Sequence, residues 1–148
     1  MDVLRRNTDY ALRAVVNLAG CHGQQPVSTR DLAESEDIPY QLACKLMQKL
    51  HRAGMVDSIM GPQGGFCLNK APSMISILEV VEAIQGPINL NRCLLGVDRC
   101  PREPVCAIGA KLSELQDHIN DYLRNLRLND LLIHKSSKAK RAKTNRKQ

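Results

Sequence analysis

Residues Thr8 to Ala19 place Ala11, Leu12, Val15, Val16, Leu18 and Ala19 on a wide apolar face at helical spacing. Asn7 or Thr8 is available to cap the start of this first helix, and Gly20 to Pro26 breaks the pattern as a loop. A short second helix is predicted from Ser28, whose hydroxyl can accept from the free amides of the first turn, with Asp31 three residues on. Leu32 and Ala33 are its core contacts, and it ends near Glu36 because Pro39 disfavours helix at Ile38. Pro39 suits an early position of a third helix, where a missing amide is harmless. Leu42, Leu46, Leu50 and Ala53 line one face of that helix, and Gln41, Lys45, Gln48 and Arg52 the other. Gly54 fits a left-handed cap.

Met55 to Met60 and Phe66 to Leu68 then read as two short strands around Gly61-Pro62-Gln63-Gly64-Gly65, a β-hairpin. Ile77, Leu78, Val80, Val81 and Ile84 predict a fourth helix, capped by Ser76 and stopped by Gly86-Pro87. Residues 88–106 carry prolines at 101 and 104 and no period. The clearest period lies in the last helix, where Ile108, Leu112, Leu115, Ile119, Tyr122 and Leu126 recur at spacings of 4, 3, 4, 3 and 4.

The expected fold is mainly α: a winged helix-turn-helix with a β-hairpin wing and a long C-terminal dimerisation helix. The third helix would enter the DNA major groove, and the hairpin would be the wing. The narrow seam of the last helix can pair with the same helix of a second subunit in a two-fold homodimer, or pack on its own domain. The expected organisation is a DNA-binding domain over 1–86, a cysteine loop over 87–106, a dimerisation helix over 107–132 and a disordered basic tail over 133–148.

The 148 residues carry a net charge of +6, but seven of the basic side chains lie in the last fourteen residues, which hold no acid. The remainder has 14 basic against 15 acidic residues, so the high isoelectric point is a property of the tail and not of the folded part. The tail can add DNA affinity without sequence preference, or serve only solubility. Hydrophobic residues at 43% support a packed core, whereas 3% aromatics argue against stacking platforms for single strands. No apolar run reaches the roughly 18 residues of a membrane span, and the N-terminus has no secretory pattern, so the chain reads as cytoplasmic with no membrane partner.

Six cysteines in such a chain are not a disulfide framework. Cys21, Cys44 and Cys67 are scattered, and Cys93-x6-Cys100-x5-Cys106 is a cluster. Three thiolates in a loop suit a metal or iron–sulfur centre, and buried or redox-sensitive thiols are the alternative. The x6 and x5 gaps match no tight zinc pattern. There is no phosphate-binding loop, no Ser-His-Asp arrangement and no carboxylate pair beside a His, so an enzyme is not expected. An electron carrier would leave the helix-turn-helix without a purpose and has only three clustered cysteines.

Four segments in order, Thr8-Asp9-Tyr10-Ala11-Leu12-Arg13-Ala14, Gly61-Pro62-x-Gly64-Gly65-Phe66-x-Leu68, Ser76-Ile77-Leu78-Glu79-Val80-Val81-Glu82-Ala83-Ile84-x-Gly86 and the three-cysteine loop, resemble the Rrf2 family of bacterial transcription regulators. The likeness covers about residues 1–132 and leaves out the tail. It implies a homodimer that binds a palindromic double-stranded DNA operator, more often as a repressor, and a [2Fe-2S] or [4Fe-4S] cluster on Cys93, Cys100 and Cys106. The cluster would sense redox state, nitric oxide or iron supply. The alternative is a cluster-free regulator that uses the same cysteines as a thiol switch or zinc site. The branch governing cluster assembly has a His three residues after the third Cys, where this chain has Gly109. The nitric-oxide branch can use an acid near the start of the first helix from the other subunit, here Asp9; His118 is a weaker candidate, and His22 and His51 read as surface residues.

For DNA, Tyr40, Gln41, Lys45 and Gln48 form the reading face, since Gln can pair with adenine and Lys with guanine or phosphate. Ser28 and Thr29 are candidate phosphate contacts, with Arg5 and Arg6 beside them. Many relatives have Arg before the wing Gly-Pro, where this chain has Met60; the wing would then read DNA through Pro62, Gln63, Gly64 and Gly65.

Overall fold

A computed structural model describes residues 3–95, 102 and 105–132. The elements run α1 (Arg6–Gly20), α2 (Thr29–Ser35), α3 (Tyr40–Arg52), β1 (Val56–Ile59), β2 (Gly65–Leu68), α4 (Ile77–Gln85) and α5 (Ala107–Asn125), with 3-10 turns at Pro72–Met74 and Arg92–Leu95. This is the expected mainly helical, winged helix-turn-helix architecture. The basic tail and part of the cysteine loop, including Cys100, lie outside the described residues.

Local chemistry sets most boundaries. Ser28 Oγ accepts the Asp31 amide at 3.1 Å and donates to the Asp31 carboxylate at 2.8 Å, which starts α2. Ser76 Oγ accepts the Glu79 amide at 3.2 Å while the Glu79 carboxylate accepts the Ser76 amide at 2.7 Å, a reciprocal box that starts α4. Partial burial pushes the Glu79 carboxyl up, but these bonds, with Lys70 and Arg127 nearby, hold it below the usual range. Helix α3 ends in a Schellman turn: Gly54 has φ +72°, its amide reaches His51 O at 2.9 Å, and the Met55 amide reaches Leu50 O at 3.0 Å.

Two of the expected details of α3 are corrected. Pro39 is the residue before α3 and not within it. Ala53 is exposed beyond the last helical turn, and Ala43 and Met47 join Leu46 and Leu50 in the core instead. The buried face is wider than one i, i+4 stripe because α3 contacts both α1 and α4.

Neither Asn7 nor Thr8 caps α1; Arg5 stands at its N-cap with no side-chain bond. The cap comes from the far end of α4. Gln85 Oε1 accepts the Arg5 amide at 2.9 Å and the buried Thr8 hydroxyl at 2.7 Å, and Gln85 Nε2 donates to Val3 O at 3.0 Å. One amide thereby satisfies three polar groups and fixes α1 against α4, the most extensive helix pair in the fold.

The hairpin pairs β1 and β2 antiparallel, Val56 with Leu68 through Ile59 with Gly65. Val27 extends this sheet, exchanging bonds with Phe66 at 3.0 and 2.9 Å. A Cβ on Gly65 would sit 2.2 Å from Val27 O, and one on Gly64 2.1 Å from Ile59 O, so both positions require glycine for close backbone approach. The chain after α5 also turns back. Leu126 O accepts the Ile77 amide at 2.9 Å, and the Leu128 amide donates to Ile75 O at 3.1 Å. Leu128 is fully buried, so the expected helix over 107–132 stops at Asn125 and its continuation clasps the start of α4.

Replacing Gln85 by Ala leaves the buried Thr8 hydroxyl without its acceptor and is expected to cost about 1–3 kcal/mol in urea unfolding. Gly65→Ala is expected to lower the thermal midpoint by breaking the Val27–Phe66 pairing, with a cost of roughly 1–3 kcal/mol; an unchanged melt would contradict the close-approach reading.

Candidate nucleic-acid interface and cysteine loop

The face of α3 turned away from the core presents Tyr40, Gln41, Lys45 and Gln48, all exposed. The Leu32, Ala33, Leu46 and Leu50 contacts hold α2 under α3 and leave that face free. The Tyr40 phenol is held above its ordinary pKa by a hydrogen bond to the Cys44 sulfur and by that thiol's negative charge when ionised, against a smaller pull from Arg30. Lys49, on the flank of the helix, donates to Ile84 O at 3.3 Å and braces α3 on α4. Ser28 and Thr29 are half-buried at the start of α2, with the Ser28 hydroxyl engaged by Asp31.

On the wing, Pro62 and Gln63 are exposed, whereas Gly64 and Gly65 are half-buried and are explained by the turn itself. The Gly64 amide closes the turn on Gly61 O at 3.0 Å. Met60 is the most exposed large apolar side chain described, at 91%. Arg5 is exposed, while Arg6 is committed to Tyr10, with Nε 3.0 Å from the phenol oxygen and the guanidinium over the ring. Arg13 stacks on the same ring at 4.7 Å and donates to Glu36 O at 2.8 Å, tying α1 to the end of α2.

Of the three clustered cysteines, Cys93 and Cys106 are described and both are half-buried free thiols. Among the described residues, no group of three His, Cys, Asp or Glu side chains is gathered as a metal site. Cys106 is the N-cap of α5, and its sulfur accepts the Gly109 amide at 3.3 Å. The residue three positions after the third cysteine therefore contributes its backbone N–H to the sulfur. Asp9 is exposed on α1, 3.4 Å from Arg13 Nε, and His22, His51 and His118 are also exposed.

The last-helix seam divides. Ile108, Leu115 and Tyr122, seven residues apart, are 72%, 47% and 68% exposed. Leu112 is half-buried, and Ile119 and Leu126 pack on the chain's own core together with Leu123. Leu126 lies past the helix end and is not part of a continuous seam. Sequence reasoning missed Gln116, the one buried residue of α5, which accepts the Leu90 amide at 2.9 Å and donates to Asn120 at 3.1 Å. Its only signal was a polar residue beside an apolar stripe. It also missed the Val27–Phe66 bridge beside the hairpin, for which the sign was a β-branched residue just before a helix cap.

Among the described residues no helix is long and apolar enough to cross a membrane. The family described as Rrf2, an iron-dependent transcriptional regulator, matches residues 4–134. The chain is 31% identical over 132 residues to the HTH-type transcriptional regulator NsrR of Bacillus licheniformis, covering 88% of this chain and 92% of that one. It is 31% identical over 127 residues to the regulator IscR of Pectobacterium carotovorum, covering 85% and 76%. Its fold matches the solved structure of CymR, the global cysteine regulator of B. subtilis, with a TM-score of 0.74 at 25% identity, over 90% of this chain and 98% of that one. These relatives are transcriptional regulators and not enzymes. With its reading helix, its glycine-braced wing and a match that runs from residue 4 to residue 134, the chain belongs to the Rrf2 family of DNA-binding transcriptional regulators.

Proposed function

We propose that this chain is a cytoplasmic homodimeric repressor whose operator binding is modulated by an iron–sulfur cluster on Cys93, Cys100 and Cys106, with Asp9 of the partner subunit as fourth ligand. The observation that carries the cluster reading is the Cys106 sulfur at the N-cap of α5, accepting the Gly109 amide, with the half-buried Cys93 at the other end of the same segment. The donor set fits: thiolates are soft ligands, and Cys93 and Cys106 are both half-buried. When bound, a cluster would supply reactivity toward oxidants and nitric oxide that thiols alone supply less readily.

The chain's own residues make the loop a lever. One end follows Gln85, which holds α1; the other is the first cap of α5; and Gln116 ties Leu90 near the middle of α5. A change in loop shape acts on α4 and α5 together, and through Lys49 and Ile84 on α3. In a dimer that resets the distance between two reading helices, which must match half-sites about one turn of DNA apart. The exposed row of Ile108, Leu115 and Tyr122 supports the dimer, since a two-fold helix pair would remove it from water. Operator contacts are assigned to Tyr40, Gln41, Lys45 and Gln48, with Ser28 and Thr29 on phosphate and Pro62, Gln63, Gly64 and Gly65 on the wing.

Cys106→Ser keeps an N-cap oxygen and therefore the helix, but removes the thiolate. Cys106→Ser and Cys100→Ala, purified without oxygen, are expected to lose bound iron, labile sulfide and visible absorbance while retaining the wild-type circular dichroism. Their affinity for an in vitro-selected duplex should no longer respond to air or nitric oxide. A variant with its full cluster would refute the ligand set; a wild type that is colourless, with zinc or reactive thiols, would favour the cluster-free regulator. For the dimer, Leu115→Glu with Tyr122→Glu is expected to weaken association at least ~100-fold in sedimentation velocity by setting like charges across the two-fold. Persistence of the dimer at micromolar protein would place the interface elsewhere.

A further inference from the structure

The segment from Ser58 to Asn69, the whole wing beyond Asp57, contains no charged residue. Counterion release is the main source of affinity for phosphates, and this hairpin has no cation with which to obtain it. Its tip is apolar instead. Met60 is 91% exposed, with half-exposed Ile59 before it and Pro62 after it. The tip is also held in place: Gly64 packs on Ile59 O, the Gly64–Gly61 bond closes the turn, and Val27 pins β2 to the base of the fold. Between this tip and the Gly23–Pro26 loop runs an open cleft of about 900 Å³, flanked by the side chains of Gln24, Gln25 and Gln63.

An uncharged apolar wedge with amide side chains beside it has the composition that minor-groove readers use, where Met or Pro inserts against base steps and Gln reads the A·T pattern. We infer that the wing of this regulator contacts the minor groove beside each major-groove half-site through Met60 as a neutral wedge, with Gln63 as its polar partner. The preference this confers is for easily unstacked pyrimidine–purine steps. The inference rests on the DNA-binding reading and adds a specificity residue that the reading helix does not supply.

The test is in vitro selection from a random duplex library with full-length protein purified without oxygen, followed by fluorescence anisotropy on the selected duplex and on a scrambled one. Wild type is expected to enrich a flexible step outside the α3 half-site. Met60→Ala should lose that flanking preference and bind the selected duplex about tenfold more weakly, with scrambled DNA and the salt slope unchanged. Met60→Leu should retain it. Met60→Lys should bind both duplexes more tightly, with a log–log salt slope steeper by about 0.9 per phosphate contacted. A Met60→Ala protein with wild-type flanking preference and affinity, or with equal losses on both duplexes, overturns the wedge while leaving the regulator intact. A wild type that enriches no sequence overturns sequence-specific DNA binding and the wedge with it. Because Met60 touches solvent over nearly all its surface, these variants retain the fold, and their circular dichroism verifies it.

Discussion

The side chain of Gln85 holds the geometry together. A primary amide is both acceptor and donor, and here the two ends serve opposite needs at one place: the oxygen takes the Arg5 amide and the Thr8 hydroxyl, and the nitrogen meets Val3 O. No single-function side chain could do this. The consequence is that α1, which has no N-terminal side-chain cap of its own, begins against the last residue of α4. Gly86, at φ +82°, then turns the chain away into the cysteine loop. The start of α1, the end of α4 and the start of the loop are thus one junction.

The other end of the loop meets α5, a helix with two obligations. Ile119, Leu123 and the buried Gln116 face its own domain, and the strand-like return at 126–128 fastens its end to the capping box of α4. What remains is the row Ile108, Leu115 and Tyr122, which a single chain leaves in water. The Cys106 cap, the intrachain face and the exposed row therefore share one rigid rod. Under the proposed function, a change at the loop would be felt at the surface proposed to meet a second copy and, through α4 and the Lys49–Ile84 hydrogen bond, at α3.

Much of this was legible where the signal is local. Ser76 with Glu79, Ser28 with Asp31, Gly54 after α3 and the Gly64-Gly65 turn each specify a boundary through neighbours within a few residues, and the structure has all four. The misreadings are tertiary. Thr8 looks like a cap by type, but its partner lies 77 residues away, and no local pattern encodes that. Ala53 fits the apolar spacing, yet the Schellman turn has already unwound the helix there. The heptad row is real, but period alone cannot say which neighbour covers it: Ile119 and Leu126 pack partly on the chain's own core, while Ile108, Leu115 and Tyr122 stay exposed. At the cysteine loop, residue type indicated a centre, and the structure adds the Gly109 amide on the Cys106 sulfur, which spacing could not show.

The proposed function requires the cysteine segment and the exposed row of α5 to act together in a cluster-bearing dimer. Native mass spectrometry of the wild-type protein, prepared and sprayed without oxygen, tests both parts in a single spectrum. The account predicts a dimer whose mass exceeds two polypeptides by two iron–sulfur centres, with the increment distinguishing two irons from four. A monomer, or a dimer at the bare polypeptide mass or carrying zinc, would contradict it.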